Sequence, residues 1–388
     1  MGYDVSVHAV DPALFADTLV PAVLGEPAPA LGAFLDRAAR LGAVAARANA
    51  WGLRVVALDR EIEERQFDVG PGRVLRRPRR FGVLRGLLGG TAYDEVRVTP
   101  RASGIPGFDA DLCVWGRPFF VVGDTTDDVL DGVERYLACA DPEADLEAAD
   151  AVARSMIDRL DDGHARLPPD LAPEVVDVVG TFRPFLDHLP EAGADRTLDV
   201  ADVRRDLAGQ VDLLRDAWRR RHTDDRLGDD RLPEAVPASD LTRDLPLALV
   251  GLGACVLPGW MGRGYVWPTT LLPESGVRVS DLFETPAGLF GPLVQAHPAL
   301  GERLCATIGD HGRLGGYVRP ERVSELRARI EAHEAEIVAA FGGDDFGGAA
   351  DPAAVYKKLI EPVAFAERHG CGVLEAEGVY SGVMGMIS

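Results

Sequence analysis

The residues best suited to chemistry stand together in Pro258-Gly-Trp-Met-Gly-Arg-Gly-Tyr-Val-Trp-Pro268, where Trp260, Arg263, Tyr265 and Trp267 are separated by glycines at 259, 262 and 264. Aromatics and arginine are the types that dominate protein-interface hot spots and line small-molecule pockets. Glycine in such density allows tight turns that present bulky side chains together. The competing expectation is that these aromatics only plug a gap between domains. A second stretch, Asp310-His311-Gly312-Arg313, offers an imidazole for acid or base work. Trp260, Arg263, Tyr265, Trp267 and His311 are therefore the expected binding residues, and no catalytic residue is assigned.

Absent signatures narrow the chemistry further. The chain has no G-x-x-x-x-G-K-[ST], no H-E-x-x-H, no G-x-S-x-G, and no G-x-G-x-x-G between a strand and a helix. Asp345-Phe346-Gly347 spells a kinase tripeptide without its catalytic loop and reads as a glycine-rich turn. Eight histidines are scattered, with His333 on an apolar stripe (Val323, Leu326, Ile330, Ile337, Phe341) and His369 two residues before Cys371. That pair lacks a third group, so neither a metal site nor a cofactor is expected.

These residues need a scaffold, and hydrophobic period supplies one. Tyr3, Val5 and Val7 alternate with Asp4, Ser6 and His8 as a strand with one wet face. Helical patterns follow from Asp11-Pro12 to about Leu24 and from Leu31 to Ala50. Leu53 to Leu58 and Ala110 to Val122 read as strands, and Asp124 to Asp128 caps a helix bearing Val129, Val133 and Leu137. Helices are expected at Leu146 to Leu160 and Val200 to Trp218, with linkers at 161–173 and 223–239. The remainder reads as an apolar helix from Leu245 to Leu257, a strand at Gly316 to Val318, helices from Pro320 to Phe341 and Pro352 to His369, and a last strand from Gly372. The fold class is α+β, mostly helical with small antiparallel sheets. Its expected divisions are an N-terminal α/β domain (1–142), a helical middle segment (143–236) and a C-terminal α+β domain (237–388).

Charge bears on partners. In 388 residues, 41 basic side chains face 62 acidic ones for a net of −21, a field that repels phosphate backbones and anionic lipid. Eight arginines between Arg73 and Arg101 oppose that trend, but Phe81, Leu84, Leu87 and Leu88 lie among them, and the strip reads as packing against the chain's own acids. Five cysteines without a C-x-x-C pair, and no secretory leader at the start, fit a reducing cytoplasm. The partner expected is another protein or a small molecule, with no nucleic acid and no membrane.

Gly2-Tyr3-Asp4, Phe108-Asp109-x-Asp111-Leu112 leading to Trp115-Gly116-Arg117-Pro118-Phe119-Phe120, and Gly315-Gly316-Tyr317-Val318-x-Pro320, with Ala364, Arg368 and Gly372-Val373-Leu374-Glu375 further on, form a recurring set. It resembles a loose group of bacterial cytoplasmic proteins, some of them neighbours of toxin-immunity systems. The resemblance implies a binding or regulatory protein of immunity type and assigns no functional residue. The alternative is an enzyme on a small molecule, with its pocket around 258–268 and His311 assisting.

Overall fold

Strand β1 (Asp4–Val10) is an inner strand of the largest described sheet. The computed structural model describes residues 4–43, 74–78, 93–97, 125–138, 200–223, 225–228, 235–263, 268–308, 314–341, 352–379 and 381. Within them β1 pairs antiparallel with β6 (Gly259–Arg263) on one side and β8 (Gly372–Glu377) on the other, and β7 (Leu314–Val318) pairs with β8. The result is a four-stranded antiparallel sheet in the order β6-β1-β8-β7. Together with two two-stranded sheets and a majority of helix, this is an α+β fold.

The alternation in β1 forecast the strand but not its depth. Ser6 and His8, expected on a wet face, are 1 % exposed. Both faces of β1 are covered by the protein, so its polar side chains are buried and must find partners within it.

Asp11 caps the first helix, its carboxylate accepting from the Ala13 amide at 2.9 Å. Helix α1 runs through Pro12–Leu14, a π turn at Phe15–Leu19 and Val20–Leu24. Its Phe15 meets Phe290 edge-on, centroids 5.7 Å apart, in the core. Helix α2 (31–43) follows. Helix α3 (Thr126–Leu137) opens on the expected cap, where the Thr125 hydroxyl accepts from the Asp128 amide. Asp127, Asp131 and Glu134 recur at helical spacing and all reach Arg368.

Helix α4 (Val200–Arg219) buries Leu207, Val211, Leu214 and Trp218, the stripe read from sequence. The segment expected as a linker after it is structured where described. Strands β4 (Arg226–Leu227) and β5 (Val236–Pro237) pair, and helix α5 (Ala238–Arg243) lays Thr242 against α4 through the Ala217 carbonyl. The apolar helix α6 (Leu245–Gly253) is shorter than its run of hydrophobics; α7 (Pro268–Glu274) and α8 (Gly291–Ala296) lead to β7.

The single helix expected from Pro320 to Phe341 is two, α9 (Pro320–Ala332) and α10 (Glu334–Phe341). His333 caps the first from inside the break, its Nδ1 2.8 Å from the Arg329 carbonyl, rather than sitting on a continuous apolar stripe. Helix α11 (Pro352–His369) enters β8. Residues of all three expected domains share one apolar core, from Val7 through Val211 to Trp260 and Val373, and β1 lies between two strands of the expected C-terminal domain.

Strands β2 (Val74–Pro78) and β3 (Tyr93–Arg97) carry part of the arginine strip. Their register sets Arg76 opposite Glu95 and Arg77 opposite Asp94. Directly opposite residues share a face, so two of the arginines are placed across from the strip's only acids. No helix among the described residues is long and apolar enough to cross a membrane.

Candidate functional site

Of the five expected binding residues, Trp260 is interior. The stretch 259–263 is a strand rather than a loop, and Trp260 stands opposite Val7 at 5 % exposure. Its indole packs against Phe365 (centroids 5.9 Å apart) and its Nε1–H donates to Glu361 Oε2 at 3.1 Å. Strand alternation, overlooked because the glycines read as a turn, sends this ring inward. Arg263 holds the register position opposite Asp4. Tyr265, Trp267 and His311 lie outside the described residues, as do the strands expected at 53–58 and 110–122 and the helix at 146–160.

The residues that flank those two stretches do meet. Thr269 is the second residue of α7 and Thr307 immediately precedes Ile308, and their hydroxyls are 3.0 Å apart. Thr269 in turn sits on Glu375 of β8. The carboxyl takes the Thr269 amide on Oε1 at 2.7 Å, and the Thr269 hydroxyl at 2.8 Å and the Gly316 amide at 3.1 Å on Oε2. A Cβ on Gly315 would lie 2.4 Å from Ile308 Cγ1, so only glycine lets β7 close on this group.

Glu375 is wholly buried, and burial pushes its carboxyl up to about 7 against the pull of its three donors. Both protonation states are therefore populated near neutral pH. When ionised, the carboxylate takes the single Thr269 hydroxyl proton, and Thr307 then donates to Thr269. When protonated, Oε2 can donate to the Thr269 hydroxyl, which passes its own proton to Thr307. The row Glu375–Thr269–Thr307 thus links a titrating group to the start of the 309–313 stretch. Sequence reading missed Glu375 because a lone glutamate in a strand suggests a solvent face, and its partners come from positions 269 and 316.

On the other face of the sheet, Ser6 donates to the Ala376 carbonyl at 3.2 Å. His8 Nε2 lies 2.8 Å from Ser6 Oγ, and the ring is wholly enclosed. Burial lowers this imidazole to about 4, with only a small opposing effect from the Val379 backbone. Gly259, opposite His8, makes room for the ring: a Cβ there would stand 2.3 Å from Nδ1. Gly259→Ala is expected to destabilise the fold by about 1–3 kcal/mol, the range for overpacking a filled site. A chemical denaturation midpoint within error of the parent would refute this placement of the ring.

The remaining sequence candidates resolve into packing. His369 stacks on Phe365 (4.2 Å between centroids) and its Nε2 faces Glu134 at 3.0 Å, while burial pushes the Cys371 thiol up to about 11. Cys255 is pushed up to about 11 in the same way. Such thiols are poor nucleophiles at neutral pH. Among the described residues no group of His, Cys, Asp and Glu is placed to hold a metal ion. Comparison of the chain with protein-family models, with curated proteins and with solved structures finds no match.

Proposed function

We propose that this chain is a cytoplasmic regulatory protein of immunity type that binds another protein or a small molecule with Arg263, Tyr265, Trp267 and His311. The observation that carries the reading is the Thr269–Thr307 contact beside Glu375. It joins a residue just after the glycine- and tryptophan-rich stretch to one just before the stretch bearing His311, which supports a site drawing on both. The negative field, together with arginines set opposite acids on β2 and β3, supports a partner other than nucleic acid.

Glu375 favours a second reading, an enzyme on a small molecule in which this buried carboxyl exchanges protons through the two threonines. Purification from the native host with mass spectrometry of whatever accompanies the chain identifies the bound species. For the binding reading, Trp267→Ala and Tyr265→Ala are expected to abolish its capture while shifting stability by less than about 0.5 kcal/mol. Capture unchanged in both variants would refute the site. Turnover of the captured molecule, lost in Thr307→Val with capture retained, would establish the enzyme instead.

A further inference from the structure

A second locus lies away from the sheet, where the turn after α4 meets the end of α8. Trp218, 5 % exposed, is roofed by Arg221, whose guanidinium carbon stands 4.2 Å from the ring centroid. Arg221 Nη1 donates to the Trp218 carbonyl at 2.8 Å, so stacking and a hydrogen bond fix the plane of the guanidinium. Its Nε is buried with no hydrogen-bond partner. His297, at the C-terminal end of α8, meets the Trp218 ring edge-on (6.4 Å) and the His222 ring at 5.6 Å.

Three cationic or potentially cationic groups thus gather in a chain of net charge −21. The carboxylates on the neighbouring basic residues are spent elsewhere: Asp225 faces Arg220, Asp216 faces Arg219, and Asp244 faces Arg243 and Arg303. Burial, and after it the charges of His222 and Arg221, hold the His297 imidazole below its ordinary value. Protonated imidazoles beside an arginine, with no acid among the described ion pairs, repel one another. An anion removes the repulsion.

We propose that Arg221, His222 and His297 form a binding site for a tetrahedral oxyanion, the phosphate group of a small phosphorylated molecule. The donor set distinguishes the class. A guanidinium and two imidazoles, drawn from the turn after α4 and the end of α8, carry more N–H donors than a planar carboxylate can use and suit an oxyanion with several oxygens. Trp218 serves as the platform that orients Arg221 rather than as a contact, since its own face is already covered.

Binding strengthens as the imidazoles gain protons. His222 is exposed and His297 is half-buried, with the two rings in edge-to-face contact. A bound anion favours the charged form of the His297 imidazole, so affinity for sulfate, a dianion throughout, rises as pH falls from 8 to 6.

The test uses the full chain with inorganic phosphate, sulfate and acetate as probes at constant ionic strength. Isothermal titration at pH 6 is expected to show saturable phosphate and sulfate binding, at least tenfold tighter than acetate. Sulfate, whose charge does not change over this range, is expected to bind at least threefold more weakly at pH 8. In nitrogen-edited NMR the imidazole signals of His222 and His297 shift with phosphate, and those of His8 do not. Arg221→Gln abolishes binding while circular dichroism and melting confirm that the variant is folded. If that variant does not fold, His222→Gln, at an exposed position, provides the same test through at least a threefold loss of affinity. Acetate binding as well as phosphate, no saturation, or phosphate shifting histidines other than His222 and His297 would overturn the proposal.

Discussion

Truncating Trp260 to alanine is expected to cost about 3–5 kcal/mol, the range for removing a large aromatic from a filled core. The ring is enclosed beside Val7 and Phe365, and its N–H serves Glu361, which is itself 1 % exposed. The variant therefore opens a cavity and removes a donor from a buried carboxyl. Trp260→Phe separates the two contributions. It keeps a packed aromatic ring but loses the indole N–H and part of the ring volume, and is expected to cost about 1–3 kcal/mol. Urea denaturation of both variants measures the difference. A loss below about 0.5 kcal/mol for the alanine variant would return this residue to the surface loop that its neighbours suggest.

The other large effect belongs to Glu375 and is read against pH. Its carboxyl titrates at about 7 in the folded protein and near 4.5 when unfolded, so the folded state holds the extra proton between those values. Its contribution to stability is fully present below 4.5 and is lost as pH rises through about 7. Over its whole window the change is on the order of a few kcal/mol, since each tenfold difference in proton affinity between the folded and unfolded states corresponds to about 1.4 kcal/mol. His8 acts in the opposite sense. Lowered to about 4 from 6.5, it makes the unfolded state the better proton binder, so stability rises with pH between those values.

From 4.5 to 6.5 the two slopes offset each other. The parent protein is expected to show little net dependence from this pair in that interval and a decline from 6.5 to about 7. Glu375→Gln uncovers the His8 slope, and stability then rises steadily from pH 4 to 6.5. Denaturation midpoints measured across pH 4 to 8 decide the matter. An unchanged profile in the glutamine variant would remove Glu375 from its buried position. Glu375→Ala is also expected to destabilise at every pH, because the amides of Thr269 and Gly316 lose their acceptor at about 1–3 kcal/mol each.

What the sequence disclosed follows from which interactions are local. Period and capping located β1, α4, α6, α9 to α11 and the start of α3, since a stripe such as Leu207, Val211, Leu214 and Trp218 is legible within twenty residues. It failed where distant segments decide. Ser6 and His8 read as wet because nothing in Asp4 to Val10 says that strands from 259 and 372 flank them. Trp260 read as exposed because glycine at 259 suggested a turn, whereas its role is to clear space for His8. Within the candidate site, Tyr265, Trp267 and His311 were singled out by type alone. Thr269, Thr307 and Glu375 gave no local signal, because a threonine and a glutamate acquire meaning only when the fold brings 269, 307 and 375 within hydrogen-bond reach.

The central position of β1 also sets an order of events during synthesis. Ser6 and Ala376, joined across two neighbouring strands, are 370 residues apart. At about 5–20 residues per second, the first strand leaves the ribosome roughly 20–75 s before the last one exists. During that interval Val7 and Ala9 have no strand from β8 to lie against, so the central sheet closes only once residues 372–377 have been made. Until then the nascent chain carries a strand with an open edge, a target for chaperones that bind extended hydrophobic segments and a liability if translation stops before residue 372.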